Sequence, residues 1–295
     1  MKKIGFVGLG DMGMGMARNI LRAGFDIKGY DLREDRRANF KAANGTLAAS
    51  TADTADGVDV LFIMVMSGDH VDAVISDVID RLAPGATVFI TATIGPWYVK
   101  RQAETLEARG IHVVDMPVSG GRFGANDGVL SLMASGDKAV IDSHMDVLSA
   151  IGDPNKIYFV GGRAGDGQTV KSCIQAFQGT SYEGLFEAMV LAEKAGLDLE
   201  MFASVLNESI IGSAITRNTT RKIIDRHFVD TGSNIATMKK DISISVELGK
   251  KLGVPLYATT VSREMFQAGL NMMPDGDNWS IVKLLEAQAG IERED

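Results

Sequence analysis

The chain has 295 residues, 45% of them hydrophobic and 23% charged, enough length and apolar content for two globular domains with a core each. A formal net charge of -8 argues against broad affinity for nucleic acid or an anionic membrane surface, and points to a small-molecule partner. A single cysteine, Cys173, excludes an intrachain disulfide framework; with His70, His112, His144 and His227 scattered, no metal site is expected, and a reducing, cytoplasmic setting fits.

Met1 stands a few residues before a strand-like run, so no signal peptide is expected, and no apolar run reaches the length of a bilayer span. Strands are expected at KIGFV (3 to 7), DIKGY (26 to 30), VLFIMV (60 to 65), ATVFITAT (86 to 93), HVVDMPV (112 to 118), LSLMAS (130 to 135) and KIYFVG (156 to 161). Helical stretches such as MGMGMARNILRAG and WYVKRQAETLEARG lie between them, each closed by a glycine suited to a C-cap. This alternation builds a parallel sheet covered by helices, and it ends near residue 162.

GGRAGDG (161 to 167) is a glycine-rich junction, so the expected domains are 1–162 and 163–295. Beyond it no strand pattern recurs. From Gln168 to Ala195, apolar or small residues return at Val170, Ile174, Phe177, Ser181, Leu185, Ala188 and Ala192, spacings of three and four that predict one long joining helix packed along that face and weakened only at Gly179. Further helices are expected through MFASVLNES, TTRKIID, KKDISISVELGKKLG and TTVSREMFQAGL, which makes the second domain all-α.

The first strand runs into Gly8-Leu9-Gly10-Asp11-Met12-Gly13, and a second strand ends at Asp31, 18 residues after Gly13. In that strand-to-helix context the glycine string reads as a Rossmann-type dinucleotide site. The first two glycines allow a tight turn and close approach of a pyrophosphate to the helix amides, and the third lets the helix pack on the sheet. Asp31 would accept from the ribose hydroxyls and repel a 2′-phosphate, which favours NAD. Arg33, Arg36 and Arg37 leave NADP open, since they either neutralise such a phosphate or are solvated helix arginines.

Ser119-Gly120-Gly121 follow a strand at the carboxyl edge of the sheet, where a hydroxyl and unhindered amides suit a carboxylate, although a plain turn uses the same residues. Lys171 sits among the apolar residues of the long helix. It is either an acid/base group or a packed stem whose amine snorkels to water.

Four segments in order, GFVGLGDMGMGMARNILRAG, DMPVSGGRFGANDGVLSLMASG, GDGQTVKSCIQAF with EAMVLAEKAGLD, and MKKD (238 to 241), resemble the signature segments of the β-hydroxyacid dehydrogenase family across nearly the whole chain. The resemblance implies a dehydrogenase that moves a hydride between NAD(P) and the β-hydroxyl carbon of a small hydroxy acid. It implies Lys171 as the general acid/base, its pKa lowered by partial burial and the nicotinamide cation. Ser119, Gly120 and Gly121 would then hold the substrate carboxylate or hydroxyl, and Thr93 would lie beside the nicotinamide. Lys240 and Lys283 match cofactor-side lysines, although surface charge is their plain alternative, and Asp241, paired with Lys240 in the family pattern, is either structural or near the substrate. The family's helical domains usually pair, which implies a homodimer or homotetramer.

Departures from the pattern touch the substrate side. Gln175 stands one turn beyond Lys171 where the family usually has an asparagine, Ile174 replaces a frequent second asparagine, and Ser233 stands where semialdehyde reductases commonly carry phenylalanine. A more polar pocket points away from 3-hydroxyisobutyrate and toward a threonate-like or larger polar acid. Two rivals are an imine or enamine reductase on the same scaffold, which usually lacks the lysine, and a non-catalytic nucleotide-binding regulator; Lys171 and the SGG loop argue against both.

Overall fold

The computed structural model describes residues 1–293. The chain divides into two compact units, Met1–Lys171 and Ser172–Asp295.

The first unit is built on one 9-stranded sheet of β1 (Lys3–Val7), β2 (Asp26–Tyr30), β3 (Thr46–Leu47), β4 (Val60–Ile63), β5 (Thr87–Ile90), β6 (His112–Asp115), β7 (Val118–Ser119), β8 (Leu130–Ser135) and β9 (Gly152–Gly161). Strands β3-β2-β1-β4-β5-β6 are neighbours in that order and parallel. β8 runs antiparallel to β6 and β7, and β9 returns parallel to β8. The chain changes direction across the sheet after β3, which leaves a crevice beyond the carboxyl ends of β1 and β4, the switch point where doubly wound sheets bind ligands.

β4 and β5 are buried at every position, as central strands covered on both faces must be. Phe6, Phe62 and Phe89 share one row of the register and stack at centroid distances of 5.7 and 4.9 Å. Between the strands run α1 (Asp11–Arg22), α2 (Glu34–Ala42), α3 (Gly68–Val78), α4 (Pro96–Glu107), α5 (Gly121–Asp127), α6 (Lys138–Asp142) and α7 (Met145–Ile151). Met16 and Ile20 of α1 and Leu148 of α7 pack with Ile4 and Phe6 on one face of the sheet. Val71 of α3 and Leu106 of α4 pack with Val7, Leu61 and Ile63 on the other.

α8 (Asp166–Lys194) starts in the first unit and continues as the first helix of the second. There it joins α9 (Leu199–Glu208), α10 (Ala214–Ile224), α11 (Ile235–Leu252), α12 (Tyr257–Met272) and α13 (Val282–Gln288) around Phe186, Met189, Ile223, Met238, Ile242, Phe266 and Trp279. Among the described residues no helix is long and apolar enough to cross a membrane.

The expected α/β unit followed by helices is the architecture found, with local differences. HVVDMPV is interrupted: Met116 and Pro117 separate β6 from β7, and proline has no N–H for the ladder. α10 begins five residues before TTRKIID, because Ser213 and Thr216 close a capping box there. The expected packed face of α8 is corrected in the first half of the helix, where Ile174 is 42% and Phe177 75% exposed and Lys171, Gln175 and Gly179 are buried; in the second half Leu185 and Ala192 of that face are buried, beside Tyr182 and Phe186. In that first half polar side chains occupy part of the packed side and apolar ones part of the open side, so the spacing of hydrophobic residues does not mark the buried face there.

Both edges of the sheet are blunt. β3 is two residues long. β9 is half exposed, contains Pro154, shifts register twice against β8, and carries an Asp153–Lys156 ion pair at 3.0 Å.

Candidate active site

At the end of β1 the chain turns through Gly8 (φ +96°), where a Cβ would lie 2.1 Å from the Met64 carbonyl oxygen. A Cβ at Gly13 would lie 1.8 Å from the Gly8 carbonyl oxygen, so α1 can start this close to β1 only with glycine there. A Cβ at Gly10 would meet nothing within 4 Å. Steric demand thus falls on the first and third glycines, and the second faces open space at the head of α1.

Gly10 is the N-cap of α1 and no side chain caps it, so the first-turn amides sit at the positive end of the helix without intrahelical acceptors. Leu9 is fully buried, so any contact it makes with a ligand is through the backbone, and the partly buried Met12 packs against the core. The Leu9 N–H donates to Asp31 Oδ2 at 2.8 Å, and Asp31 Oδ1 accepts from the Arg33 N–H at 2.9 Å. Asp31 is thereby fixed at the carboxyl end of β2.

The nearby arginines are engaged. Arg36 pairs with Asp11 at 2.9 Å, Arg33 with Asp35 at 2.8 Å, and Arg37 donates to the carbonyls of Asp31 and Leu32. Open space at Gly10, anion-binding amides and a fixed carboxylate at β2 fit a dinucleotide, its pyrophosphate at α1 and its ribose at Asp31.

Thr93 lies half-buried between β5 and α4. Ser119 ends β7 opposite Ser131, and Gly120 (φ +133°) and Gly121 (φ +62°) turn the chain into α5. Lys171, one turn and a half into α8, is 6% exposed. The residue as a whole is thus almost entirely out of solvent.

In the second unit Gln175, Lys240 and Asp241 come together. Gln175 Nε2 donates to Asp241 Oδ2 at 2.7 Å, which fixes the amide orientation and leaves Oε1 buried without a hydrogen-bond partner. Lys240 Nζ is 2.8 Å from Asp241 Oδ1, an ionic contact too poorly aligned to be a hydrogen bond. Lys283 has a different neighbour: its ammonium lies 4.8 Å from the Phe228 ring centroid, beside a cavity of about 600 Å³ that Arg226 and Glu286 also line.

Two buried residues, Asp115 and Gln168, had no role in the sequence reading. Asp115, the last residue of β6, accepts from the N–H groups of Gly165 and Gln168, from Gln168 Nε2 and from Ser135 Oγ. Burial pushes its pKa up to about 6, against the downward pull of those donors. An acid at the end of an apolar strand was the one sequence signal for it.

A family profile described as the NAD binding domain of 6-phosphogluconate dehydrogenase matches residues 3–162. Another, described as NAD-binding of NADP-dependent 3-hydroxyisobutyrate dehydrogenase, matches residues 165–285. The chain is 31% identical over 272 residues to an L-threonate dehydrogenase from Escherichia coli, covering 91% of this chain and 89% of that one. It is 32% identical over 292 residues to a 2-hydroxy-3-oxopropionate reductase from the same species, covering 97% and 98%. A crystal structure of 3-hydroxyisobutyrate dehydrogenase from Salmonella typhimurium matches with a TM-score of 0.85 at 31% identity, over 96% of this chain and 100% of that one. The paired profiles, the near full-length relatives and a glycine cradle shaped for a dinucleotide agree: the chain belongs to the β-hydroxyacid dehydrogenase family of NAD(P)-dependent oxidoreductases.

Proposed function

We propose that the chain interconverts a small polyhydroxylated, threonate-like acid and its oxo form, with NAD preferred. The observation that carries the substrate class is Gln175, whose amide is held by Asp241 so that Oε1 is a buried acceptor awaiting a donor. A substrate hydroxyl beyond the reacting one supplies that donor, whereas a methyl group leaves the acceptor unsatisfied at a cost of about 1–3 kcal/mol. The similarity to an L-threonate dehydrogenase supports the same class.

In this reading the neutral Lys171 amine takes the hydroxyl proton as the carbon–oxygen double bond forms, and its ammonium returns the proton in the reverse direction. Ser119 Oγ and the amides of Gly120 and Gly121 hold the substrate carboxylate or hydroxyl, and Gln175 orients the neighbouring hydroxyl with Asp241 behind it. Gly8 to Gly13, Asp31, Thr93, Lys240 and Lys283 serve the cofactor, which when bound accepts or returns the hydride. Assay of purified protein with NAD and NADP against C3 to C6 hydroxy acids is expected to give the highest kcat/KM on acids with two or more hydroxyls. Higher kcat/KM on 3-hydroxyisobutyrate than on any of them overturns this substrate class.

The same proposal includes a homodimer or homotetramer in a reducing cytoplasm. Exposed Phe177 and Leu191 on α8 and Met201 and Val205 on α9 give the second unit an apolar surface for pairing, and Cys173 is an exposed free thiol. Light scattering is expected to return at least twice the chain mass; a concentration-independent monomer overturns the assembly.

A further inference from the structure

We propose that Asp115 and Gln168 are positioning residues that hold the turn of α8 leading to Lys171 and the Thr93 segment in one fixed relation. The proposal depends on the reading of Lys171 as the proton carrier. Every contact it uses lies within the first unit.

The first amides of a helix have no acceptors within the helix, and at α8 the sheet supplies them. Asp115 Oδ2 accepts from the Gly165 N–H at 3.0 Å and the Gln168 N–H at 2.9 Å, and Ser135 Oγ accepts from the Gly167 N–H at 2.9 Å. Asp115 and Ser135 face each other across the β6–β8 register, so the two acceptors act as one cap. The negative charge of the Asp115 carboxylate also suits the positive end of the helix.

Gln168 then uses all of its amide. Nε2 donates to Asp115 Oδ1 and to the Ala92 carbonyl, both at 2.9 Å. Oε1 accepts from the N–H groups of Ile94 and Gly95 at 3.0 and 3.2 Å. The segment containing Thr93 is therefore tied to the helix through one side chain, and the helix to β6 through one carboxylate.

Lys171 follows Gln168 by three residues, so the two side chains leave α8 on the same side. A displacement of the anchored turn passes directly to the lysine. The packing leaves little room for such a displacement, because a Cβ at Gly167 would already lie 2.6 Å from the Met133 carbonyl oxygen. A buried network with every member satisfied rigidifies its surroundings, and its bonds to a charged acceptor are the stronger kind. Folding alone would be served by apolar packing here; instead the ties converge on the turn before Lys171 and on both sides of Thr93.

The test is a double-mutant cycle in the full-length protein, with NAD and the best acid from the substrate panel. Asp115→Asn turns an acceptor into an NH2 group that faces donors. It is expected to lower kcat roughly 10- to 10²-fold while KM changes less than about threefold, as misplacement of a catalytic group predicts. Added to Lys171→Ala, it is expected to cost less than about twofold more, since nothing remains to be positioned. Ser135→Ala, milder in case Asp115→Asn folds poorly, is expected to show the same non-additivity with a loss of about three- to tenfold. Full kcat in both Asp115→Asn and Ser135→Ala, or an undiminished loss in the Lys171→Ala background, overturns the positioning role and leaves the lysine reading intact. Full kcat in Lys171→Ala alone sinks the lysine reading and this proposal with it.

Discussion

Replacement of Lys171 by alanine is expected to lower kcat by roughly 10²-fold or more, the usual range for a general acid/base group. The Kd for NAD should stay near the parent value, because the glycine fingerprint is elsewhere in the first unit. Lys171→Arg should fail almost as badly, since a guanidinium does not release its proton near neutral pH. Gln175→Asn provides the contrast. Shortening the side chain withdraws it from Asp241, 2.7 Å away in the parent, and should move KM and the preference among acids more than kcat. Full activity in Lys171→Ala, with folding confirmed by circular dichroism, would mean that the buried lysine is only packed.

The second large effect is expected at the ribose. Asp31 is held by the Leu9 and Arg33 amides, and if the proposed ribose contact is right its charge repels a 2′-phosphate, so NAD should be favoured in kcat/KM. Asp31→Ser is expected to shift the NAD to NADP ratio by roughly 10- to 10²-fold toward NADP, the scale on which removing a repulsive element changes specificity. The arginines needed for that switch are close in sequence: Arg33 is bound to Asp35 by an exposed pair that a phosphate can displace at little cost, and the half-buried Arg36 pairs with the exposed Asp11. A parent enzyme that prefers NADP would overturn the Asp31 assignment and shift the ribose contact to those arginines.

Sequence alone makes the first unit legible because its signals are local. The glycines of the fingerprint are dictated by atoms within one strand–turn–helix unit, and the strands alternate with helices at regular spacing. What escapes is set by contacts between distant segments. Asp115 meets Gln168 across 53 residues, and only the antiparallel register of β8 brings Ser135 to the same place. The short strand β3 has no period to detect in two residues. In the first half of α8 the hydrophobic spacing misses the packed side, since Ile174 and Phe177 are exposed and Gln175 is buried, whereas Leu185 and Ala192 farther along are buried as expected. The same polar burial that blurs the helix pattern is what gives Gln175 and Lys171 their chemical interest, so pattern failure and candidate function coincide there.

The blunted rim of the sheet limits how copies of this chain can associate. A free strand of ten residues such as β9 would ordinarily be a template for a neighbouring strand, and so a route to fibres and precipitation. Pro154 withholds a donor, the Asp153–Lys156 pair puts charge along the edge, and the two register shifts bend it out of line. At the opposite rim β3 is too short to nucleate a ladder. Sheet extension from molecule to molecule is closed at both ends, so any lasting self-association has to be made by side chains packing on helical surfaces, a mode that terminates in a finite particle when its symmetry closes.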